Sequence, residues 1–363
     1  MLLLVRNSAA AVIAAAVLLA GLAVGWLYWR GGGSALDAEW VRYRDRFMST
    51  EGRIVDEARG GISTSEGQGF GMVLAVAYND RIAFDKLWAW TKENLGKRED
   101  RLFIWKWKPG ETPSADTVNA TDGDLLIAWA LARGGTKWRD QALTDEAIRR
   151  ARSMRSFETL SREITKKFYL APDVSQPEHG AGIVVNPSYI VFPVFRDLDV
   201  IDPNWIWGQF THAGLRLLEA ARFGPHHLPP DWLIARDDGT FTLPEKDYDH
   251  VSGYEAVRIP LYLMWANLGD EDLLRPFAEA WAASRKGREL GIVFDLDAGE
   301  VKAHNNGTGF RAIERAVDCV LTGYPIPAEL RLGEHDDYYS ASLFLLTLTM
   351  LQEMHPACLS ARD

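Results

Sequence analysis

Cysteine is scarce in this chain, with Cys319 and Cys358 as the only two among 363 residues. Two cysteines cannot supply a zinc cluster or a disulfide framework, although a single bridge in an oxidising compartment is compatible with them. Histidine is sparse too, and none of the eight belongs to a His-Glu-x-x-His metal motif. The adjacent His226 and His227 lie beside prolines, as in a loop. We therefore expect no metal.

Nucleotide-binding and nucleophile motifs are absent as well. There is no P-loop and no Gly-x-Ser-x-Gly elbow, and the glycines of residues 67–71 lack the spacing of a dinucleotide fingerprint. Positive charge is not in excess, since 40 Lys and Arg face 50 Asp and Glu, which gives a formal net charge of −10. This balance argues against nucleic acid as a partner. We expect a neutral partner and no cofactor.

Aromatic residues and carboxylates are what the chain has in quantity. It contains 14 Trp, 15 Phe and 11 Tyr, and 47% of its residues are hydrophobic. Most of these rings belong in a core, but flat amphipathic rings beside acids also suit a groove that stacks on sugar faces.

The N-terminal segment has a composition of its own. Residues 9–29 form a run without charge that is long enough to span a bilayer. Residues 26–29 resemble an interfacial aromatic anchor. We predict a signal anchor and Gly-rich tether over residues 1–34, followed by one catalytic domain over residues 35–363. The protein is then exported to the periplasm and anchored in the inner membrane; a cleaved signal peptide with secretion is the alternative.

The rest of the chain has mainly helical periodicity. The pattern predicts helices over residues 40–48, 69–78, 82–95, 125–131, 142–154, 157–164, 188–195, 205–221, 254–266, 273–284, 308–321 and 339–354. Strand-like alternation is scarce, so we expect an all-α fold. A solenoid, an irregular bundle and a closed toroid of helical hairpins are all compatible with about a dozen helices.

Three acidic segments lie at predicted helix starts. Glu66 sits among small residues before an apolar run, which favours its protonated form and suits a proton donor. Asp122 and Asp124 precede a second apolar helix, where they either cap it or bind sugar hydroxyls. Glu255 lies three residues before Arg258, so the two form a surface ion pair, or the arginine holds a general base.

Further groups accompany these acids. Trp105 and Trp107 face one way if their segment is extended, and both rings then line a groove. Tyr189 follows Asn186 and Pro187 at a helix start. Hydrolysis of a glycosidic bond needs these groups and no cofactor, because one acid protonates the leaving oxygen and a carboxylate activates water.

Taken together, the segments resemble glycoside hydrolase family 8, most closely the endoglucanases of bacterial cellulose synthesis. The resemblance rests on residues 120–131 (ATDGDLLIAWAL), with support from residues 64–68, 186–189 and 254–258. It implies an (α/α)6 barrel of six inner and six outer helices, and an inverting endo-acting hydrolase of β-1,4-glucan that trims cellulose beside a synthase. Another β-1,4 polymer, xylan or chitosan, or a non-catalytic glycan-binding role are the alternatives.

The resemblance also assigns roles to residues. Glu66 matches the general acid, Asp122 the aspartate that orients the sugar, and Tyr189 and Tyr254 the tyrosines near the attacking water. At the position where familiar relatives have an aspartate base, this chain has Glu255, which we predict to be the base.

Other acids are alternatives for the base: Asp247, Asp249 and Asp122. The remaining residues that we predict to bind substrate are Asp124, Trp105, Trp107, Tyr189, Tyr254 and Arg258.

Overall fold

The computed structural model describes residues 35–156, 160–164, 166–175 and 182–359. The chain divides into two units, Met1–Ala38 and Glu39–Asp363. The predicted anchor and tether, residues 1–34, lie outside the described residues, so the anchor stays a prediction. Within the described ranges, no helix combines the length and apolarity that crossing a membrane requires.

Helices dominate the described residues. The α-helices are α1 (Ala35–Phe47), α2 (Ser65–Ala77), α3 (Arg81–Asn94), α4 (Thr121–Trp138), α5 (Gln141–Met154), α6 (Phe192–Ile201), α7 (Trp205–Ala220), α8 (Arg258–Trp265), α9 (Glu271–Ser284), α10 (Thr308–Thr322) and α11 (Tyr338–Met354). Short 3-10 helices occur at Glu57–Arg59, Pro187–Tyr189 and Pro356–Cys358.

Helix packing closes a ring. Helix α2 packs on α4, α4 on α6, α6 on α8, α8 on α10, α10 on α11, and α11 back on α2. Helices that alternate with these along the chain pack against them, with α3 on α2, α5 on α4, α7 on α6, and α9 on α8 and α10. This arrangement is consistent with an all-α toroid. Helices α2, α8 and α11 are buried along nearly their whole length because they have neighbours on several sides.

Glycines allow α2 and α4 to pack with their backbones close together. A Cβ added at Gly69 would lie 2.5 Å from Cβ of Leu126, and one at Gly123 would lie 2.2 Å from Oγ of Ser65 and 2.8 Å from the backbone nitrogen of Glu66. Two helix starts are therefore held side by side, which places Glu66 next to Asp122.

Replacing Gly69 by alanine tests this close approach. We expect Gly69→Ala to lower the free energy of unfolding by roughly 1–3 kcal/mol, because overpacking forces the two backbones apart. Gly208, inside α7, is the matched control because nothing lies within 4 Å of a Cβ there. Gly208→Ala should raise stability by up to about 1 kcal/mol through helix propensity. Urea unfolding measures both; equal effects at the two sites would contradict the packing argument.

Among the described residues, ten short strands form antiparallel sheets in the connections between helices. They are β1 (Ser63–Thr64), β2 (Lys106–Trp107), β3 (Ser161–Ile164), β4 (Lys167–Leu170), β5 (Gly182–Val185), β6 (Leu233–Arg236), β7 (Phe241–Thr242), β8 (Val251–Ser252), β9 (Leu290–Asp295) and β10 (Val301–Asn305). The sheets within the described residues are β1–β2, β3–β4, β5–β6–β7 and β8–β9–β10.

The helix predicted over residues 157–164 is wrong in its described part. Residues 161–164 form β3, which pairs with β4 in a hairpin, and residues 157–159 lie outside the described residues. Ser161 and Ile164 are buried while the two residues between them are more exposed, which is the i, i+3 spacing of a helix turn and not the alternation of a strand. Pairing with β4 makes this segment a strand.

The two cysteines form a disulfide between Cys319 and Cys358. The bond joins the last turn of α10 to the 3-10 helix that follows α11, and a parallel bridge between Ile326 and Leu359 lies beside it. The end of the chain is therefore fastened to the ring covalently.

Removing the disulfide should destabilise the protein. The bond closes a loop with a sequence separation of 39 residues, for which chain entropy alone gives roughly 3–4 kcal/mol. We expect the double variant Cys319→Ser/Cys358→Ser to unfold at a lower denaturant concentration by about that free energy. A midpoint equal to that of the oxidised wild type would show that the native state does not use the bond.

Candidate active site

The starts of α2, α4 and α8 meet at one end of the ring. Thr64 caps α2 by accepting the N–H of Gly67, and Glu66 follows in the first turn. Asp122 lies in the first turn of α4, and Arg258 is the first residue of α8. Unsatisfied N–H groups make helix starts favourable places for carboxylates, so each acid is locally stabilised where it stands.

Arg258 joins these helix starts. Its side chain is buried, and Nη1 donates to Glu66 and, at 3.1 Å, to Oδ2 of Asp122. Nη2 donates to Glu255 and, at 2.8 Å, to Oγ of Ser188. One guanidinium therefore contacts three carboxylates, with Glu66 and Glu255 on different terminal nitrogens. We call Glu66, Asp122, Glu255 and Arg258 the carboxylate cluster.

The carboxylate cluster has more negative than positive charge when all its acids are ionised. Burial raises the pKa of Asp122 well above its ordinary value, and the nearby Glu66 and Glu255 raise it further, although Arg258 lowers it. A hydrogen bond with Glu66 also favours the protonated form of Asp122. We conclude that this environment favours the protonated form of Asp122, because adjacent carboxylates cannot all ionise cheaply in a buried place.

The three acids differ in their access to solvent. The side chain of Glu66 is 18% exposed and that of Glu255 is 33% exposed, whereas Asp122 is 1% exposed. A substrate can therefore reach Glu66 and Glu255 directly. Asp122 is buried against Arg258 and Glu66, and its contact with a sugar stays a prediction.

Glu255 is held by several polar groups besides Arg258. Its Oε2 lies 3.3 Å from Nδ2 of Asn186, the capping residue of the 3-10 helix Pro187–Tyr189, and 3.3 Å from Oγ of Ser188 within that helix, and both residues are buried. Glu66 has a partner of its own, because the hydroxyl of Tyr338 donates to its Oε1 at 3.4 Å. Both reachable carboxylates are therefore positioned from more than one side.

The predicted tyrosines lie beside the carboxylate cluster. The guanidinium carbon of Arg258 is 5.8 Å from the centre of the Tyr189 ring. Tyr254 is 42% exposed and packs edge-on against Phe310 at 5.8 Å. The carbonyl of Tyr254 accepts the hydroxyl of Tyr339 at 2.6 Å, which fixes the backbone next to Glu255.

Trp107 lies in β2 and Trp105 precedes it, and this segment pairs with the residues just before Glu66. Trp107 pairs with Ser63 in the β1–β2 ladder, and the N–H of Ser65 donates to the carbonyl of Trp105 at 3.0 Å. This pairing places the backbone of Trp105 opposite Ser65, the residue before Glu66, and the backbone of Trp107 two residues further along the ladder. Both rings are half-buried; Trp107 packs edge-on against Trp90 at 5.5 Å, and Lys106 lies over the ring of Trp105 at 4.6 Å.

Asp124 does not join the carboxylate cluster. Its side chain is buried, with Oδ1 accepting the N–H of Phe103 and Oδ2 accepting Nδ2 of Asn119, each at 2.8 Å. Burial raises the pKa of Asp124 to about 7, although these two bonds lower it. Its contacts fasten the segment before Trp105 to α4, so any influence of Asp124 on substrate passes through that segment.

The alternative bases Asp247 and Asp249 are exposed on the segment between β7 and β8. Glu255 differs from both in that it shares the guanidinium of Arg258 with Glu66. Among the residues that the structure describes, no group of three or more His, Cys, Asp or Glu side chains is arranged to hold a metal ion.

Sequence reasoning did not find several residues at this site. Tyr338 and Tyr339 begin α11 directly after its capping residue Asp337, the same pattern of polar residues at a helix start that identified Glu66. Trp232 packs edge-on against Tyr189 at 5.9 Å and stacks on Tyr248 at 4.9 Å. No local pattern marks Trp232, since its loop has neither helical nor strand periodicity.

Replacing Asp124 by asparagine tests its role in the fold. The new amide would face the Nδ2 group of Asn119, which cannot turn over because its Oδ1 accepts the N–H of Val174 at 2.8 Å. We expect Asp124→Asn to lower the free energy of unfolding by roughly 1–3 kcal/mol, the cost of an unsatisfied buried donor. The exposed Asp116 provides a control with the same change of charge; Asp116→Asn should unfold like wild type. Equal unfolding midpoints for the two variants would contradict this role.

Comparison with known proteins agrees with this geometry. The family model for glycosyl hydrolases family 8 matches residues 5–353. An endoglucanase of Cellulomonas uda is 36% identical over 275 residues, which cover 76% of this chain and 75% of that protein.

Solved structures of similar proteins give the same result. The endoglucanase Cel10 of Klebsiella pneumoniae, a family 8 glycosyl hydrolase, superposes with a TM-score of 0.79 at 36% identity over 87% of this chain and 99% of that one. The endo-β-1,4-glucanase CMCax of Acetobacter xylinum superposes with a TM-score of 0.80 at 31% identity over 88% and 98%. With a family model that covers nearly its whole length and relatives of this similarity, the chain belongs to glycosyl hydrolases family 8.

Proposed function

We propose that this chain is an inverting endo-β-1,4-glucanase in which Glu66 is the general acid and Glu255 the general base. The family is one of glycoside hydrolases, and endoglucanases are the similar proteins, including the endo-β-1,4-glucanase of Acetobacter xylinum. The alternative of a non-catalytic glycan-binding protein has no support from these comparisons.

One observation carries the assignment of the two roles. Glu66 and Glu255 are the solvent-accessible carboxylates of the cluster, and they contact different terminal nitrogens of the same guanidinium. An inverting hydrolase needs two carboxyl groups far enough apart for a water molecule and a sugar, roughly 6.5–9.5 Å. Placing Arg258 between them holds them apart while keeping both at one site.

The proton for the leaving oxygen comes from the pair that Glu66 forms with Asp122. Asp122 is buried, and burial raises its pKa well above the ordinary value, which favours a proton on Asp122 beside Glu66. When Glu66 delivers that proton to the glycosidic oxygen, its negative charge is stabilised by Arg258. Asp122 thus acts through Glu66, and its contact with the sugar stays a prediction.

The attacking water is activated at Glu255. Asn186 and Ser188 contact the same carboxylate oxygen as Arg258, which leaves the other oxygen of Glu255 to accept a proton from water. Tyr189 and Tyr254 flank this place. We propose that Tyr254, Trp105 and Trp107 offer ring faces to glucose units.

We also propose an exported enzyme that acts on glucan beside a cellulose synthase, with the six-and-six barrel as its complete fold. The disulfide supports an oxidising compartment. The ring of α2, α4, α6, α8, α10 and α11 supports six inner helices. Membrane attachment through residues 9–29 and contact with a synthase stay predictions.

Isosteric variants test the two roles. We expect Glu66→Gln and Glu255→Gln each to lower turnover of carboxymethyl-cellulose by roughly 10²–10⁴-fold, the usual contribution of a general acid or base. Glu93→Gln, on the exposed face of α3, removes the same charge and should retain wild-type turnover. Reducing-sugar release measures the rate, and proton NMR should show α-anomers as the first products of the wild type.

Each result has a distinct meaning. Wild-type turnover in Glu66→Gln would show that Glu66 is not the general acid. Wild-type turnover in Glu255→Gln would show that another carboxylate is the general base. First products that are β-anomers would reject inversion. Release of sugar from xylan or chitosan but not from the cellulose derivative would change the polymer and keep the chemistry.

A further inference from the structure

Asp231 lies beneath the turn that carries Glu255. It precedes β6, is 8% exposed, and is separated from Glu255 by 24 residues of chain. Its Oδ1 accepts the N–H of Gly253 at 2.7 Å and that of Ala256 at 2.9 Å, and the N–H of Glu255 also bonds to its carboxylate. These N–H groups belong to the turn just before α8 and have no partners within the helix.

We propose that Asp231 is a positioning residue for the general base, holding the backbone of Glu255 so that its carboxylate meets water in the reactive orientation. The inference rests on the proposed role of Glu255. Asp231 does not itself touch the reacting atoms, since its oxygens point at backbone N–H groups beneath the turn.

Contacts on the other sides of the turn leave the backbone around Glu255 little freedom to move. The N–H of Asp231 donates to the carbonyl of Val251 at 2.8 Å, so the two segments bond in both directions. A Cβ at Gly253 would lie 3.0 Å from Oδ2 of Asp231, which shows how closely the carboxylate approaches the backbone. The carbonyl of Gly253 accepts the N–H of Val257 at 3.0 Å and the carbonyl of Tyr254 accepts the hydroxyl of Tyr339, so both peptide groups that flank Tyr254 are anchored.

The anchoring has a direct consequence for the glutamate. A glutamate side chain has one methylene more than an aspartate, and a longer side chain has more conformations to lose. Arg258, Asn186 and Ser188 restrict the carboxylate end, whereas Asp231 restricts the backbone end. Small displacements of a catalytic group are costly for turnover.

The charge of Asp231 supports this role. Burial raises its pKa to about 6, the N–H of Ala256 lowers it, and Glu255 raises it again. Asp231 is thus ionised at neutral pH, and an ionised carboxylate accepts stronger hydrogen bonds from backbone N–H groups than a neutral acid does.

A variant series distinguishes positioning from mere stability. We expect Asp231→Ala to lower kcat on a soluble cello-oligosaccharide roughly 10–100-fold while KM changes less than about twofold, because the base is displaced and the binding rings are not. Asp231→Asn keeps an acceptor at Oδ1 and should recover part of the lost kcat. Hydrogen exchange should be faster in a peptide covering residues 250–258 of Asp231→Ala.

Asp80 provides the matched control. It caps α3 by accepting the N–H of Ala83 at 2.9 Å and also accepts from Trp40 and Arg44, at the end of α2 remote from Glu66. Asp80→Ala should lower the unfolding midpoint without changing kcat, which separates a general loss of stability from displacement of the base.

Two outcomes would overturn the inference in different ways. If Glu255→Gln is inactive but Asp231→Ala, or Asp231→Asn should the alanine variant not fold, keeps wild-type kcat and exchange, then Asp231 is not a positioning residue and the base assignment stands. If Glu255→Gln retains wild-type turnover, the base assignment fails and the positioning role fails with it.

Discussion

The contact of one buried guanidinium with three carboxylates is the interaction on which the site depends. Arg258 has almost no access to water, so its charge needs anionic partners. Those partners lie on the first turns of α2 and α4 and in the turn before α8, which meet only when the ring of helices has closed. The fold and the site therefore require one another: closure of the ring assembles the acids, and the arginine offsets the repulsion between them.

Much of this was predictable from the sequence because it is local. An acid in the first turn and an apolar run behind it identify the starts of α2 and α4 without tertiary information, and α2 has the capping residue Thr64 as well. The different fates of Asp122 and Asp124 also follow from local geometry. Residues two apart on a helix do not face the same side, so one carboxylate points to Arg258 and the other to Asn119.

The parts that escaped prediction depend on contacts between distant segments. Tyr338 reaches Glu66 across 272 residues of chain, and Asp231 reaches a turn more than 20 residues away. Neither Tyr338 nor Asp231 lies in a sequence pattern that distinguishes it from the residues of ordinary loops and helix starts. Residues 161–164 form a strand because β4 is available to pair with them. The spacing of apolar residues along the chain does not predict this pairing.

The raised pKa of Asp122 explains how a site that contains a buried arginine can still hold a proton. An ion pair with Arg258 favours the ionised carboxylate, whereas burial favours the neutral acid, and for Asp122 burial has the larger effect. Because Asp122 is bonded to Glu66, the proton lies next to the side chain that a substrate can reach. A sugar that enters the site displaces water and lowers the local dielectric further, which strengthens the preference of Asp122 for its neutral form.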